Sequence, residues 1–191
     1  MKFVEGLVHK ELTTKTGLSC AIRWPKKEDL RQLTDFINEI AKEDTYVAYG
    51  PSDHETLESE AKWLDSTLVS CNNGGESYVV AEIDDKIVGA AEIRRELSGK
   101  SRTYHEANFG ITILAKARGI GLGNQLTQTC IDHATDHVGG IRIITLTAFS
   151  ENANAIDLYK KHNFVEVGRI KNALFRQNKY SDQVIMVKEI Q

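Results

Sequence analysis

The sequence predicts an α/β fold: a mixed, mostly antiparallel central sheet of about seven strands with helices on both faces. Three observations predict it. Runs of β-branched and alternating apolar residues cluster between residues 77 and 114 and return from residue 141 to the end. Segments among them carry apolar residues at helical spacing. One such segment follows a strand through a glycine-rich turn, "ARGIGLGNQL" (residues 117–126).

The elements follow in order. "VHKELTTKTGLSC" reads as an extra strand turning at Gly17, so residues 1–18 form an added arm on a domain of residues 19–191. "LSCAIRWP" is a strand stopped by Pro25. "KKEDLRQLTDFINEIAKE" is a helix, with Leu30, Leu33, Ile37 and Ile40 on one side. "SDHE" (Ser52 to Glu55) has a capping-box pattern and predicts the start of a second helix carrying Leu57, Ala61, Leu64 and Leu68. "SYVVAEI" and "IVGAAEIRREL" flank Asp84-Asp85-Lys86 as a hairpin. "EANFGITIL" alternates, with Ala107, Phe109, Ile111 and Ile113 on one face. A helix from about Leu122 to His137 ends at Gly139-Gly140, and "IRIITLTAF" is apolar on both faces, as a central strand is. "ENANAIDLYKKH" is the last helix, and "FVEVGRI" and "SDQVIMVKEI" are two closing strands.

The bulk numbers narrow the function. The chain has 191 residues, 27% of them charged, and a net charge of −3. This mildly acidic balance does not suit a nucleic-acid binder. No apolar run approaches the ~20 residues a membrane helix needs, and "MKFVEGLVHKEL" is not a signal peptide, so a cytoplasmic protein is expected. Cys20, Cys71 and Cys130 are scattered and odd in number, which predicts reduced, partly buried thiols. His133 and His137 stand at i and i+4, but no third ligand has motif spacing, so no metal is expected.

A strand, a glycine-rich turn and a helix N-terminus together make an anion site. The first amides of the helix lack internal acceptors, the dipole adds positive charge, and glycine lets the backbone approach closely. Arg118 adds a forked donor. The turn is not a P-loop, which needs Lys-Ser/Thr after its last glycine, nor the G-x-G-x-x-G of dinucleotide folds.

Arg118-x-x-Gly121-x-Gly123 instead resembles the [Q/R]-x-x-G-x-[G/A] loop of the GNAT superfamily of N-acetyltransferases. "NANAIDLYKKHNFVEVG" is similar to the family's N-x-x-A-x-x-L-Y-x-x-x-G-F-x-x-x-G, with Asn152, Ala155, Leu158, Tyr159, Phe164 and Gly168 in register. "YSDQVIM" resembles a Y-x-D-x-x-x-M ending, and the likeness spans about residues 19 to 188. Four departures stand out, the first being Ala115-Lys116-Ala117 in place of P-[E/D]-[Y/W/H] before the loop. Asn163 replaces a glycine, Ile120 stands where a basic residue is common (with Lys116 a nearby substitute), and Asn108-Phe109-Gly110 replaces E-L-G, so no base is assigned at Asn108.

The resemblance implies direct transfer of an acetyl group from acetyl-CoA to an amine, without a metal or a covalent enzyme intermediate. It implies that the loop of Arg118, Gly119, Ile120, Gly121, Leu122, Gly123 and Asn124 holds the pyrophosphate. Pantetheine is expected to lie as a pseudo-strand beside Ile113 and Leu114. Asn152 is expected to cap its helix and to bond the CoA arm, and Tyr159 to protonate the departing thiolate. Glu106 is the expected base for the amine, with Glu92 and His105 as the other candidates. The acceptor is expected to meet Glu39, Glu43 and Tyr46, an acidic and aromatic lining suited to a cation. A small-molecule primary amine, such as a polyamine or amino acid, is the expected acceptor. The alternatives are a protein N-terminus or a non-catalytic acetyl-CoA sensor. A homodimer is expected by family analogy, through the closing strands or the arm.

Overall fold

The computed structural model of the chain describes residues 2–95 and 102–190. Eight strands form one sheet: β1 (Val8–Thr13), β2 (Ser19–Arg23), β3 (Glu76–Ile83), β4 (Lys86–Arg95), β5 (Glu106–Ile113), β6 (Ile143–Phe149), β7 (Val165–Arg176) and β8 (Lys179–Glu189). Their spatial order is β1-β2-β3-β4-β5-β6-β8-β7. Neighbours are antiparallel except β5 and β6, which run parallel and pair only through Glu106, Ala107 and Asn108. The arm is thus built into the sheet as its first strand, as the turn at Gly17 (φ +86°) predicts. Glu96 and Leu97, the end of one expected strand, lie outside the described residues.

Four α-helices cover the two faces: α1 (Leu30–Lys42), α2 (Leu57–Asn72), α3 (Leu122–His137) and α4 (Ala153–Lys161). α1 and α2 lie together over β3 and β4, burying Leu33, Phe36, Ile40 and Leu64. α3 lies on the opposite face, where Leu122, Leu126, Cys130 and Ala134 are buried at helical spacing. Burial of apolar area on both faces holds β3 at the centre of the core. The three cysteines are free and buried.

Two expectations about boundaries are corrected. The capping box of α2 is Thr56 with Ser59, not Ser52 with Glu55: the Ser59 amide donates to the Thr56 hydroxyl at 3.1 Å. Ser52–Glu55 lies four residues too early, and its Asp53 carboxylate instead accepts the Gly50 amide at 2.7 Å. The closing hairpin is longer than expected, because Gln177 and Asn178 both take left-handed φ (+49° and +59°) and turn the chain tightly between β7 and β8. Asp84 and Asp85 make the same kind of turn between β3 and β4 (φ +49° and +58°).

Candidate active site

Because β5 leaves β6 after Asn108, a gap opens in the middle of the sheet. The Leu114 amide donates to Val88 on the β4 side at 2.9 Å. By strand alternation, the backbone groups of Ile111 and Ile113 face the open side. Leu114 was expected to offer its backbone to a ligand. Its amide is already bonded to β4, and Ile111 and Ile113 are the residues of β5 whose backbone faces the gap.

The gap continues into a cavity of about 710 Å³ that passes from one face of the sheet to the other. Tyr159 of α4 lines it on one side, and Glu60 and Trp63 of α2 on the other. Asn108, Gly110 and Thr112 of β5 form its floor with Glu92 of β4. Tyr159 packs edge-on against Phe109 (centroids 6.0 Å) and Phe164 (6.1 Å) and is 8% exposed. Burial pushes its phenol up to about 12, so it keeps its proton at neutral pH. Its position is set by Asn152, which caps α4 by accepting the Ala155 amide at 3.3 Å. Asn163, at the other end of α4, takes a left-handed φ of +64° in the place of glycine.

The glycine loop is built as its sequence implies. Gly119 and Gly121 adopt φ of +77° and +91°, and Gly121 is the N-cap of α3, so the amides of Leu122, Gly123 and Asn124 open the helix without internal acceptors. A side chain on Gly123 would lie 3.3 Å from Leu158 and 3.5 Å from Ile113; that glycine lets α3 approach β5 and α4. Arg118 donates from Nε to the Ile113 carbonyl at 2.8 Å.

Several expected residues sit elsewhere. Glu43 was expected in the acceptor lining, but its carboxylate pairs with Arg118 and accepts the Ala115 amide at 2.8 Å. Glu39 pairs with Lys116 at 3.1 Å. Glu39, near the end of α1, and Glu43, its C-cap, therefore brace the glycine loop, and neither lines the cavity. Tyr46 does line it, packed on Phe149 (5.5 Å) and under the Arg176 guanidinium (4.2 Å). Glu106 begins β5, at the end where the strand still pairs with β6, and is not among the lining residues. His105 lies just before it and uses its carbonyl to accept the Arg142 and Ile143 amides.

The carboxylates that do reach the cavity are Glu55, Glu60 and Glu92. Glu92 stands opposite Gly110 across the β4–β5 ladder, and its Oε1 is 3.3 Å from where a Cβ on Gly110 would be. Arg94, two residues along, pairs with Glu76 at 3.0 Å and Glu92 at 3.6 Å. Glu60 is 7% exposed, and burial, then the charge of Glu55, raises its carboxyl from its ordinary 4.5 to about 7. Sequence reasoning missed Glu60 and Trp63, for they lie on an ordinary-looking helix turn.

The Glu60 shift has a sign in stability. The folded chain holds this proton more tightly than the unfolded chain, so the site is comfortable below about pH 4.5 and costs progressively more as pH rises through about 7. Glu60→Gln is expected to stabilise the protein at pH 8 by about 2 kcal/mol, with the gain vanishing at pH 4, as read from urea melts at the two pH values.

Known proteins agree with this fold. Residues 34–164 match the acetyltransferase (GNAT) family. The chain is 30% identical over 138 residues to the L-amino acid N-acetyltransferase AaaT of Escherichia coli strain K12, an alignment covering 72% of this chain and 77% of that protein. Among solved structures, the GNAT-family acetyltransferase of Streptococcus pneumoniae superposes with a TM-score of 0.82 at 25% identity, covering 90% of this chain and 99% of the other. The yncA protein of Salmonella typhimurium, solved with its cofactor acetyl-CoA, superposes with a TM-score of 0.78 at 19% identity, covering 90% and 94%. The mixed sheet splayed beside a glycine loop is that of an acyl-group transferase. The chain belongs to the GNAT family of acetyltransferases.

Proposed function

We propose that this protein transfers the acetyl group of acetyl-CoA to the primary amine of a small molecule, with amino acids as the acceptor class. The observation that carries this reading is the cavity through the sheet, with Tyr159 on one side and Glu92, Glu60 and Arg94 on the other. Its mixed charge suits a ligand bearing both an ammonium and a carboxylate. The likeness to an L-amino acid N-acetyltransferase supports the same class.

In this reading the loop from Arg118 to Asn124 holds the pyrophosphate, and pantetheine runs along Ile111 and Ile113. A backbone amide of β5 polarises the thioester carbonyl. Asn152 bonds the CoA arm as well as capping α4. The neutral amine attacks the carbonyl carbon, the C–S bond breaks, the amine proton passes to a carboxylate, and the thiolate takes the Tyr159 proton. Glu92 replaces Glu106 as the proton acceptor, since Glu92 reaches the cavity and Glu106 does not. Glu60 holds the substrate ammonium. Tyr46 closes the acceptor side.

The first experiment is thiol release from acetyl-CoA across amino acids, polyamines, aminoglycosides and short peptides. Release confined to amino acids supports the proposal. Release only with peptides moves the acceptor to a protein N-terminus. Binding of acetyl-CoA with no release from any amine favours the sensor. Steady-state kinetics then separate the two carboxylates. Glu92→Gln is expected to lower kcat by about 100-fold, and Glu106→Gln by less than about twofold. Equal losses would return the base to the start of β5.

A further inference from the structure

The glycine loop is short of free cations. Arg118 is engaged by Glu43, Lys116 by Glu39, and position 120 is isoleucine. The N-terminal hairpin brings another. Its turn between β1 and β2 docks on the loop: the Lys15 amide donates to the Ile120 carbonyl at 3.2 Å. The Lys15 side chain then runs across the N-cap of α3. Its Cε, Cγ and Cδ lie 3.4, 3.6 and 3.7 Å from where a Cβ on Gly121 would sit. The lysine stem occupies the space that a side chain at residue 121 would fill.

The turn is held firmly. The Thr14 amide donates to the Leu18 carbonyl at 2.8 Å, the Leu18 amide donates to the Thr14 hydroxyl at 3.0 Å, and Thr14 is buried. Lys10, on the same hairpin, donates to Gln125 in the first turns of α3 at 2.7 Å. Among the described residues, no carboxylate pairs with Lys15. An ammonium held beside a helix N-terminus meets positive potential there until an anion arrives.

We propose that Lys15 is a further cofactor-binding residue, contacting the diphosphate of acetyl-CoA, so that the N-terminal hairpin is part of the cofactor site. This rests on the reading of the loop as the diphosphate cradle. The hairpin supplies the cation that Ile120 does not. It reaches the diphosphate rather than the 3′-phosphate, because its stem crosses Gly121 at the centre of the loop.

The test is calorimetric titration of wild type, Lys15→Ala, Lys15→Arg and a distant control, Lys62→Ala, with CoA and with dephospho-CoA, which keeps the diphosphate and lacks the 3′-phosphate. Lys15→Ala is expected to weaken CoA about tenfold, with the same factor for dephospho-CoA. Lys15→Arg and Lys62→Ala are expected to stay within about twofold of wild type. Thermal melts of ligand-free Lys15→Ala should match or exceed wild type, since an exposed cation is removed from a positive helix end. Equal CoA affinity for wild type and Lys15→Ala overturns the proposal. A penalty seen with CoA but not with dephospho-CoA overturns the assignment to the diphosphate. Failure of the wild type to bind CoA at all is a different result: it overturns the acetyl-CoA reading itself.

Discussion

Tyr159→Phe is expected to lower kcat for acetyl transfer by about 100-fold, with the KM for acetyl-CoA within about threefold of wild type. The phenol is held by Phe109, Phe164 and the short helix that Asn152 caps. Phenylalanine keeps that packing and removes only the hydroxyl. Burial alone, with no hydrogen bond among the described residues, shifts the hydroxyl, so the melting temperature should move by no more than about 2 °C. Burial raises the phenol to about 12, above the ~8.5 of a free thiol. The residue therefore enters each turnover protonated, and in the proposed mechanism the proton passed to the departing thiolate must be regained from solvent or acceptor. Loss of KM together with kcat would assign Tyr159 to binding, and unchanged kinetics would remove it from the chemistry.

Arg23→Ala is expected to destabilise the fold by about 3–5 kcal/mol in urea or guanidinium melts. Arg23 leaves the end of β2 and forks onto Asp29 just before α1, with both contacts at 2.8 Å. One of the same two nitrogens also reaches Glu82 on β3 at 2.6 Å, and Nε donates to that carboxylate at 3.0 Å. The side chains of Arg23 and Asp29 are 5% and 1% exposed. Removing the guanidinium leaves the Asp29 carboxylate without its countercharge and far from water. The charge is costly there because only the Lys26 amide, at 2.9 Å, still donates to it. Arg23→Met with Asp29→Leu should recover much of the loss, since an apolar pair of similar volume leaves only the partly exposed Glu82 without its countercharge. A loss below about 1 kcal/mol for the single variant would mean that water reaches the pair.

Local features were legible in the sequence. The start of α3 at Leu122, the left-handed Asn163, the turn at Asp84-Asp85 and the capping Asn152 each follow from backbone demands that one or two residues meet. The glycine loop belongs with these, because its glycines are needed where they stand. What escaped was pairing at a distance. Glu39 and Glu43 looked like an acceptor lining because they share a segment with aromatic residues. They turn instead to Lys116 and Arg118, more than 70 positions away in sequence. Glu92 and Glu106 could be ranked only once the β4–β5 register set Glu92 against Gly110, a relation that neither strand carries alone. Lys15 sits in an unremarkable turn whose partner is Ile120.

The three-pair junction between β5 and β6 has one more consequence. It is the only stretch at which β1–β5 and β6–β8 share a ladder among the described residues. In the proposed binding mode, the carrier lying along Ile111 and Ile113 acts as mortar, joining two half-walls that otherwise meet at a narrow course. Substrate and scaffold are then the same object for part of each cycle. On that reading the protein is stiffest when loaded, and each departure of the spent carrier briefly returns the wall to two pieces.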